Sequence, residues 1–236
     1  PAIAVDDATA RAVPDEDLPV YTLLVPAYKE PDVVEGLVAA LDRLEYPSDR
    51  LDVMLLVEEN DHETLQRALD TVVGDHMRVV VVPEGSPQTK PRALDFGLQF
   101  ARGELLAIYD AEDHPESLQL RRAAVAFAGS APNVGCLQAR LGFYSGVHNL
   151  LTRWFTTEYA TWFTLFLPGL VASGAPVPLG GTSNHFRVAA IREVGGWDAW
   201  NVTEDCDLGI RLQRRGWTVG LLDSITMEEP NSDVIN

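Results

Sequence analysis

LPVYTLLVPA (18–27) followed by PDVVEGLVAALDRLEYP (31–47) reads as a strand running into a helix. The first segment is a short apolar run. In the second, Val34, Leu37, Val38, Leu41 and Leu44 recur at three- and four-residue steps until Pro47 stops them. The same alternation extends outward. RLDVMLLVEE (50–59) is the next strand, and Asn60 with Glu63 resembles a capping pair for a helix reaching about Val73. MRVVVVP (77–83) is a third strand, valine-rich as a strand buried on both faces would be. A helix from Lys90 to Arg102 closes at Gly103, and ELLAIYD (104–110) is the fourth strand. Short links between such units predict an α/β fold with an open, largely parallel central sheet flanked by helices.

The later half changes character. VGCLQAR (134–140) is a fifth strand, and residues 148–167 are helical with Leu151, Trp154, Phe155, Trp162, Phe163 and Phe166 on one apolar stripe. That stripe is either core or a face toward a membrane. Residues 168–181 read as loop, 189–197 as a short helix and 202–217 as a helix with Thr203 at its N-cap, before a last strand WTVGLLDS. Residues 1–18, acidic and punctuated by Pro14 and Pro19, are expected to form a flexible arm. One domain is then expected over 19–230, in halves 19–115 and 116–230, with a short tail at 231–236.

Composition excludes several functions. With 18 basic and 35 acidic residues the net charge is −17, which opposes nucleic-acid binding through a basic surface. Cys136 and Cys206 make neither a disulfide framework nor a metal spacing. No run reaches 18 apolar residues, so nothing reads as a membrane span. Neither GxGxxG nor GxxxxGK[ST] is present, GTSNHF (181–186) is not GxSxG, and HExxH is missing.

Ligands of open α/β sheets bind outside the carboxyl ends of the strands. Three of those ends are VPAYKE (25–30), VEEND (57–61) and IYDAED (108–113), all acidic. A carboxylate cluster at such a rim suits Mg²⁺ or Mn²⁺ shared with substrate phosphates, and it also suits a solvated turn capping the helix that begins at ESLQL. VTEDCD (202–207) is open in the same way. Its acids stabilise a helix N-terminus through the dipole, or one of them takes a proton from a nucleophilic hydroxyl.

Taken in order, VPAYKE, VEEND, TKPRAL, YDAED, QARLGFY, GGTSNHF and TEDCDLGIRLQRRGW resemble the membrane-associated family 2 glycosyltransferases, most nearly the branch of cellulose synthases and related β-glucan and mannan synthases. The resemblance covers about residues 18–230. It implies a GT-A fold and inverting transfer from a nucleoside diphosphate sugar, UDP-sugar favoured, to a glycan or other hydroxyl acceptor. Pro26, Ala27, Tyr28 and Glu30 would line the nucleotide pocket. Glu59 is the favoured base contact among Glu58, Glu59, Asn60 and Asp61. Lys90, with Arg92 second to it, would meet the phosphates. Asp110, Ala111 and Glu112 match the metal motif, and Asp113 is an alternative to Glu112 as metal ligand.

By the same resemblance Asp205 is the catalytic base and Glu204 its orienter or an acceptor ligand. Gln138, Phe143, Gly181, Thr182, Ser183, His185 and Thr203 would lie along the acceptor. His185, where relatives often carry a small residue or cysteine, reads equally as a structural hydrogen-bonder. The family's QxxRW is not met by QRRGW (213–217). The resemblance further implies a cytoplasm-facing catalytic domain of an integral inner or plasma membrane protein, attached through segments absent from this chain. Two other functions stay open on the residues alone. Nucleotidyl transfer would want a basic, glycine-rich first loop, and a non-catalytic nucleotide-binding or assembly domain could dispense with Asp205.

Overall fold

The computed structural model describes residues 2–72, 74–144 and 150–228. The expected tail at 231–236, the expected helix start at 148 and the expected helix end at Val73 lie outside them, as does the side chain of Leu151. The first half follows the predicted alternation: β1 (Tyr21–Ala27), α2 (Val34–Leu41), β2 (Leu51–Glu58), α3 (His62–Thr71), β3 (Met77–Val82), α4 (Lys90–Leu98) and β4 (Leu105–Ile108). These four strands pair in parallel in the order β3-β2-β1-β4. Successive side chains divide between two cores, because a strand alternates faces. Leu23, Val25, Val53, Leu55 and Val57 enter one core with α2, whereas Leu24, Met54 and Leu56 enter the other with Leu94 and Leu98 of α4.

The second half departs from parallel order. It consists of β5 (His114–Pro115), α5 (Gln119–Ala128), β6 (Val134–Phe143), α6 (Leu150–Thr161), α7 (Leu167–Ser173), β7 (Asn184–Arg187), α8 (Val188–Val194), α9 (Glu204–Arg214) and β8 (Thr218–Glu228). Beyond β4 the sheet continues β7-β6-β8-β5, and β7 runs antiparallel to both β4 and β6 while β6 and β8 are parallel. The sheet is therefore mixed. The inversion of β7 brings its start, residues 181–184, to the rim where β1, β2, β4, β6 and β8 end.

Several expectations are corrected. Residues 2–18 are not a loose arm: they carry α1 (Asp7–Ala12), Val5, Ala10 and Leu18 are buried, and Ile3 bridges to Leu222. Arg122 and Arg121 of α5 clamp this segment through Asp7 and Asp15, so its acids serve as ion-pair partners. Asp61 rather than Asn60 caps α3, accepting from the Thr64 amide at 3.3 Å. Residues 168–173, expected as loop, continue the helix. A π-turn at Trp162–Phe166 joins α6 to α7, and the Leu167 amide reaches back to the Trp162 carbonyl. The widened turn lets Pro168, which has no N–H, sit inside a helical run.

The aromatic stripe is only partly core. Phe163 and Leu167 are buried, while Trp154 is 69% exposed, Leu165 70% and Phe166 47%. Apolar surface of this kind marks an interaction face. The chain is expected to self-associate or to take up detergent, read by light scattering with and without dodecyl maltoside. Replacing Trp154 and Leu165 by glutamate should restore a monomer. Monomeric behaviour of the unaltered chain at high concentration without detergent would contradict the expectation.

Candidate active site

A cavity of about 330 Å³ opens at the carboxyl ends of β1, β2 and β4, lined by Pro26, Ala27, Tyr28 and Glu30 on one side and by Lys90, Asp110, Ala111 and Glu112 on another. The residues predicted for the donor half are thus brought together, except Glu59 and the second phosphate candidate Arg92. Glu58, 4% exposed, lines the cavity and is held by Arg92 at 3.4 Å, whereas Glu59 is exposed and accepts from the Glu84 amide. Strand parity accounts for the difference, since β2 ends with Glu58 turned toward the cavity.

Within DAED the residues separate by role. Asp113 is 1% exposed and turned inward, accepting from the Asp110 amide at 2.7 Å and from the Thr182 hydroxyl. Its Oδ1 has no partner among the described residues, and burial, then Asp110, pushes its pKa up to about 8. Asp113 therefore closes the turn, and Asp110 and Glu112 line the cavity. Among the described residues no group of three or more His, Cys, Asp or Glu could hold a metal alone. Two carboxylates at one cavity fit a hard cation whose other ligands are phosphate and water.

Lys90, at the start of α4, pairs with Asp110 and donates to the Gly181 carbonyl at 2.7 Å. Burial pulls its pKa down, but Asp110, Asp205 and Asp113 outweigh that, and the net direction is up. Asp205 stands across Gly181 on the first turn of α9, 8% exposed, with its Oδ1 unpartnered. A Cβ added at Gly181 would lie 3.6 Å from Asp205 Oδ2 and 3.9 Å from Lys90 Nζ, so the two groups meet at that glycine. Burial pushes the Asp205 pKa up to about 7, with Glu204 and Asp110 adding to it and Lys90 opposing. α9 is seated by Gly209, where a Cβ would come within 2.3 Å of the Val177 carbonyl oxygen. Thr203 takes the expected N-cap position of α9, and its carbonyl accepts from the Asp207 amide at 3.1 Å, but its side chain makes no capping hydrogen bond. It is exposed, and its hydroxyl bonds Asn201 Oδ1 at 3.2 Å.

Most of the residues predicted for the acceptor stand behind the wall. Gln138, Thr182, Ser183 and His185 are buried. Gln138 Oε1 accepts from the Gly180 amide at 2.8 Å and its Nε2 donates to the Thr182 carbonyl at 3.0 Å, which holds the 180–183 turn. Ser183 takes a left-handed φ of 56°, secured by its hydroxyl on Thr226 at 2.6 Å and its amide on the Ile108 carbonyl at 2.9 Å. His185 accepts from the Tyr21 hydroxyl at 2.7 Å and donates toward Gln119 Oε1, and burial lowers its pKa to about 3, so it is a neutral core residue. Phe143 is half-buried, its ring 4.8 Å from that of Tyr159. Gly181 does reach the cleft, lining a second cavity with Trp162 and Glu158.

Sequence reasoning missed Glu158 and Trp162, and also Glu228 at the end of β8. Burial, Asp110 and Glu112 push the Glu228 pKa up to about 7. Its only sequence signal was its place at the end of a further parallel strand.

Comparison with known proteins agrees with this fold. The sequence profile described as glycosyl transferase family group 2 matches residues 105–235. A beta-monoglucosyldiacylglycerol synthase of Synechocystis sp. is 30% identical over 233 residues, 93% of this chain and 48% of its own length. Glucomannan 4-beta-mannosyltransferase 2 of Arabidopsis thaliana is 31% identical over 217 residues, 86% of this chain and 40% of its own. The chain thus spans about half the length, or less, of these curated relatives. Among solved structures, mannosyltransferase PcManGT from Pyrobaculum calidifontis, in complex with GDP-Man and Mn²⁺, aligns with a TM-score of 0.68 at 18% identity over 99% of this chain and 61% of that one. TarS of S. aureus in complex with UDP-GlcNAc aligns at 0.64 with 14% identity, over 90% of this chain and 59% of that one.

Proposed function

The chain belongs to glycosyl transferase family group 2, and from that premise we propose that it transfers a sugar, with inversion, from a nucleoside diphosphate sugar to a hydroxyl of a glycan acceptor. The observation that carries the reading is the meeting of Lys90, Asp110 and Asp205 around Gly181, with Lys90 and Asp110 lining one cavity and Gly181 lining the other. The 330 Å³ cavity suits the donor. Pro26, Ala27 and Tyr28 wall its nucleoside, with Glu58, positioned by Arg92, as base contact in place of Glu59. Lys90 turns from Asp110 to the diphosphate.

Asp110 and Glu112 would hold Mg²⁺ or Mn²⁺, in line with the Mn²⁺ and GDP-Man of the Pyrobaculum structure. Such an ion, when bound, neutralises charge on the leaving diphosphate. Asp205 takes the acceptor's proton at its unpartnered oxygen as the new bond forms, and Glu204 beside it keeps its proton affinity high. Gln138, Thr182, Ser183 and His185 act indirectly, by holding the wall between the two cavities. Nucleotidyl transfer suits the cavity poorly, since Lys90 is the one basic residue among those described as lining it.

No helix among the described residues is long and apolar enough to cross a membrane. Membrane attachment, if the relatives' greater length carries it, would come through segments outside this chain, and whether the catalytic face then looks into the cytoplasm follows from those segments.

Calorimetry of UDP and GDP binding tests the donor assignment. Binding is expected with Mn²⁺ or Mg²⁺ and to weaken at least tenfold in EDTA, because the phosphates would then face Asp110, Glu112 and Glu30 unscreened. Equal affinity in EDTA would overturn the metal's role.

A further inference from the structure

The cavity on the acceptor side of Gly181 has a composition of its own. It measures about 210 Å³ and is lined by Glu158, Tyr159, Trp162 and Phe163 from the α6 side and by Gly180 and Gly181 from the wall opposite. That volume is below what a drug-sized ligand needs and matches a single ring. Trp162 is 38% exposed, and its indole is stacked on Phe166 at 4.5 Å and 27°, which presents a flat platform. Tyr159 lies between Phe143 at 4.8 Å and Phe163 at 6.3 Å. Glu158 is exposed and has no ion-pair partner among the described residues. The glycines add no side chain, so a ring can approach their backbone closely.

Resting on the transferase reading above, we propose that this cavity binds the terminal ring of the acceptor, and that this ring is a neutral pyranose. Such a ring carries an apolar face of axial C–H groups, which suits Trp162 and Tyr159, and a hydroxyl edge that donates to a carboxylate, which suits Glu158. An acyl chain would leave the Glu158 carboxylate desolvated without a donor. A uronate or phosphorylated sugar would bring like charge to Glu158 and to a chain of net charge −17. The position is right for reaction, because Gly181 borders both this cavity and Asp205. Trp162 and Glu158 then select the acceptor, and neither touches the donor cavity.

The test is saturation-transfer NMR and tryptophan fluorescence with methyl β-D-glucopyranoside and methyl β-D-mannopyranoside, in the presence of Mn²⁺ with UDP or GDP, with methyl glucuronide and diacylglycerol micelles as the other arms. One of the neutral glycosides should bind, the glucuronide should not, and Trp162→Ala should weaken the glycoside about tenfold or more. Trp162→Phe should keep most of the affinity, and Glu158→Gln should lose several-fold, with nucleotide affinity unchanged in all three. Glycoside binding that Trp162→Ala leaves intact would overturn the proposal, as would a response to diacylglycerol or glucuronide in place of the neutral glycosides. Failure of the unaltered chain to bind nucleotide with metal would fall on the transferase reading instead.

Discussion

Asp205→Asn is expected to cut sugar transfer by roughly 10²-fold or more while leaving the fold and the nucleotide affinity intact. An acceptor hydroxyl is a weak nucleophile unless its proton leaves as the bond forms, and asparagine cannot accept that proton. The change is nearly isosteric. It removes a carboxylate that is 8% exposed and has one oxygen without a partner, so little structural hydrogen bonding is lost with it. A hundredfold loss corresponds to about 2.7 kcal/mol of transition-state stabilisation. The pH profile should share the signature. Burial, with Glu204 and Asp110 nearby, sets the Asp205 pKa at about 7, and a base works only when ionised. Transfer should therefore rise as pH climbs through that value and level off above it, and the asparagine variant should lack that limb. Undiminished transfer by Asp205→Asn would end its candidacy as base.

Asp110→Ala should lose transfer and metal-supported nucleotide binding together. Removing an outer-shell group costs a metal site about 10–100-fold, so a direct carboxylate ligand should cost at least the upper end of that range. The variant has a second, opposite consequence. Lys90 is paired with Asp110 in this structure, and the alanine frees it. In EDTA, Asp110→Ala should bind UDP or GDP as well as the unaltered chain or better, since one negative charge is gone and a lysine is released. Calorimetry in both buffers separates the two effects. A loss of equal size in EDTA would mean that Asp110 acts through something other than a cation.

The parts legible in the sequence were those whose signal is local. The apolar runs and helical periods of residues 18–110 predicted β1 to β4 and the helices between them, and they placed VPAYKE and IYDAED at one rim. What stayed hidden depended on partners distant in the chain. The NHFR strand is four residues long and has one apolar residue, Phe186, so nothing in it announced an antiparallel insertion between β4 and β6. His185 and Gln138 look like site residues until Tyr21, Gln119 and the 180–183 turn are seen to occupy their polar atoms. Glu58 and Glu59 differ only in parity, which the exact end of β2 decides. Thr203 was legible as the N-cap residue of α9, but that its hydroxyl donates to Asn201 instead of accepting from the first turn was not. Trp162 and Glu158 sat within a stripe read for its apolar face, and the π-turn and neighbouring rings that give them another role are tertiary features.

The central claim is inverting transfer, with donor and base on opposite sides of Gly181. The most direct measurement is proton NMR of the first-formed product during turnover of an α-linked nucleoside diphosphate sugar with Mn²⁺. The account predicts a β-configured product, read from its anomeric coupling or its one-bond carbon–proton coupling. An α-configured product would contradict it, because a single base across the cleft from the leaving group cannot retain configuration.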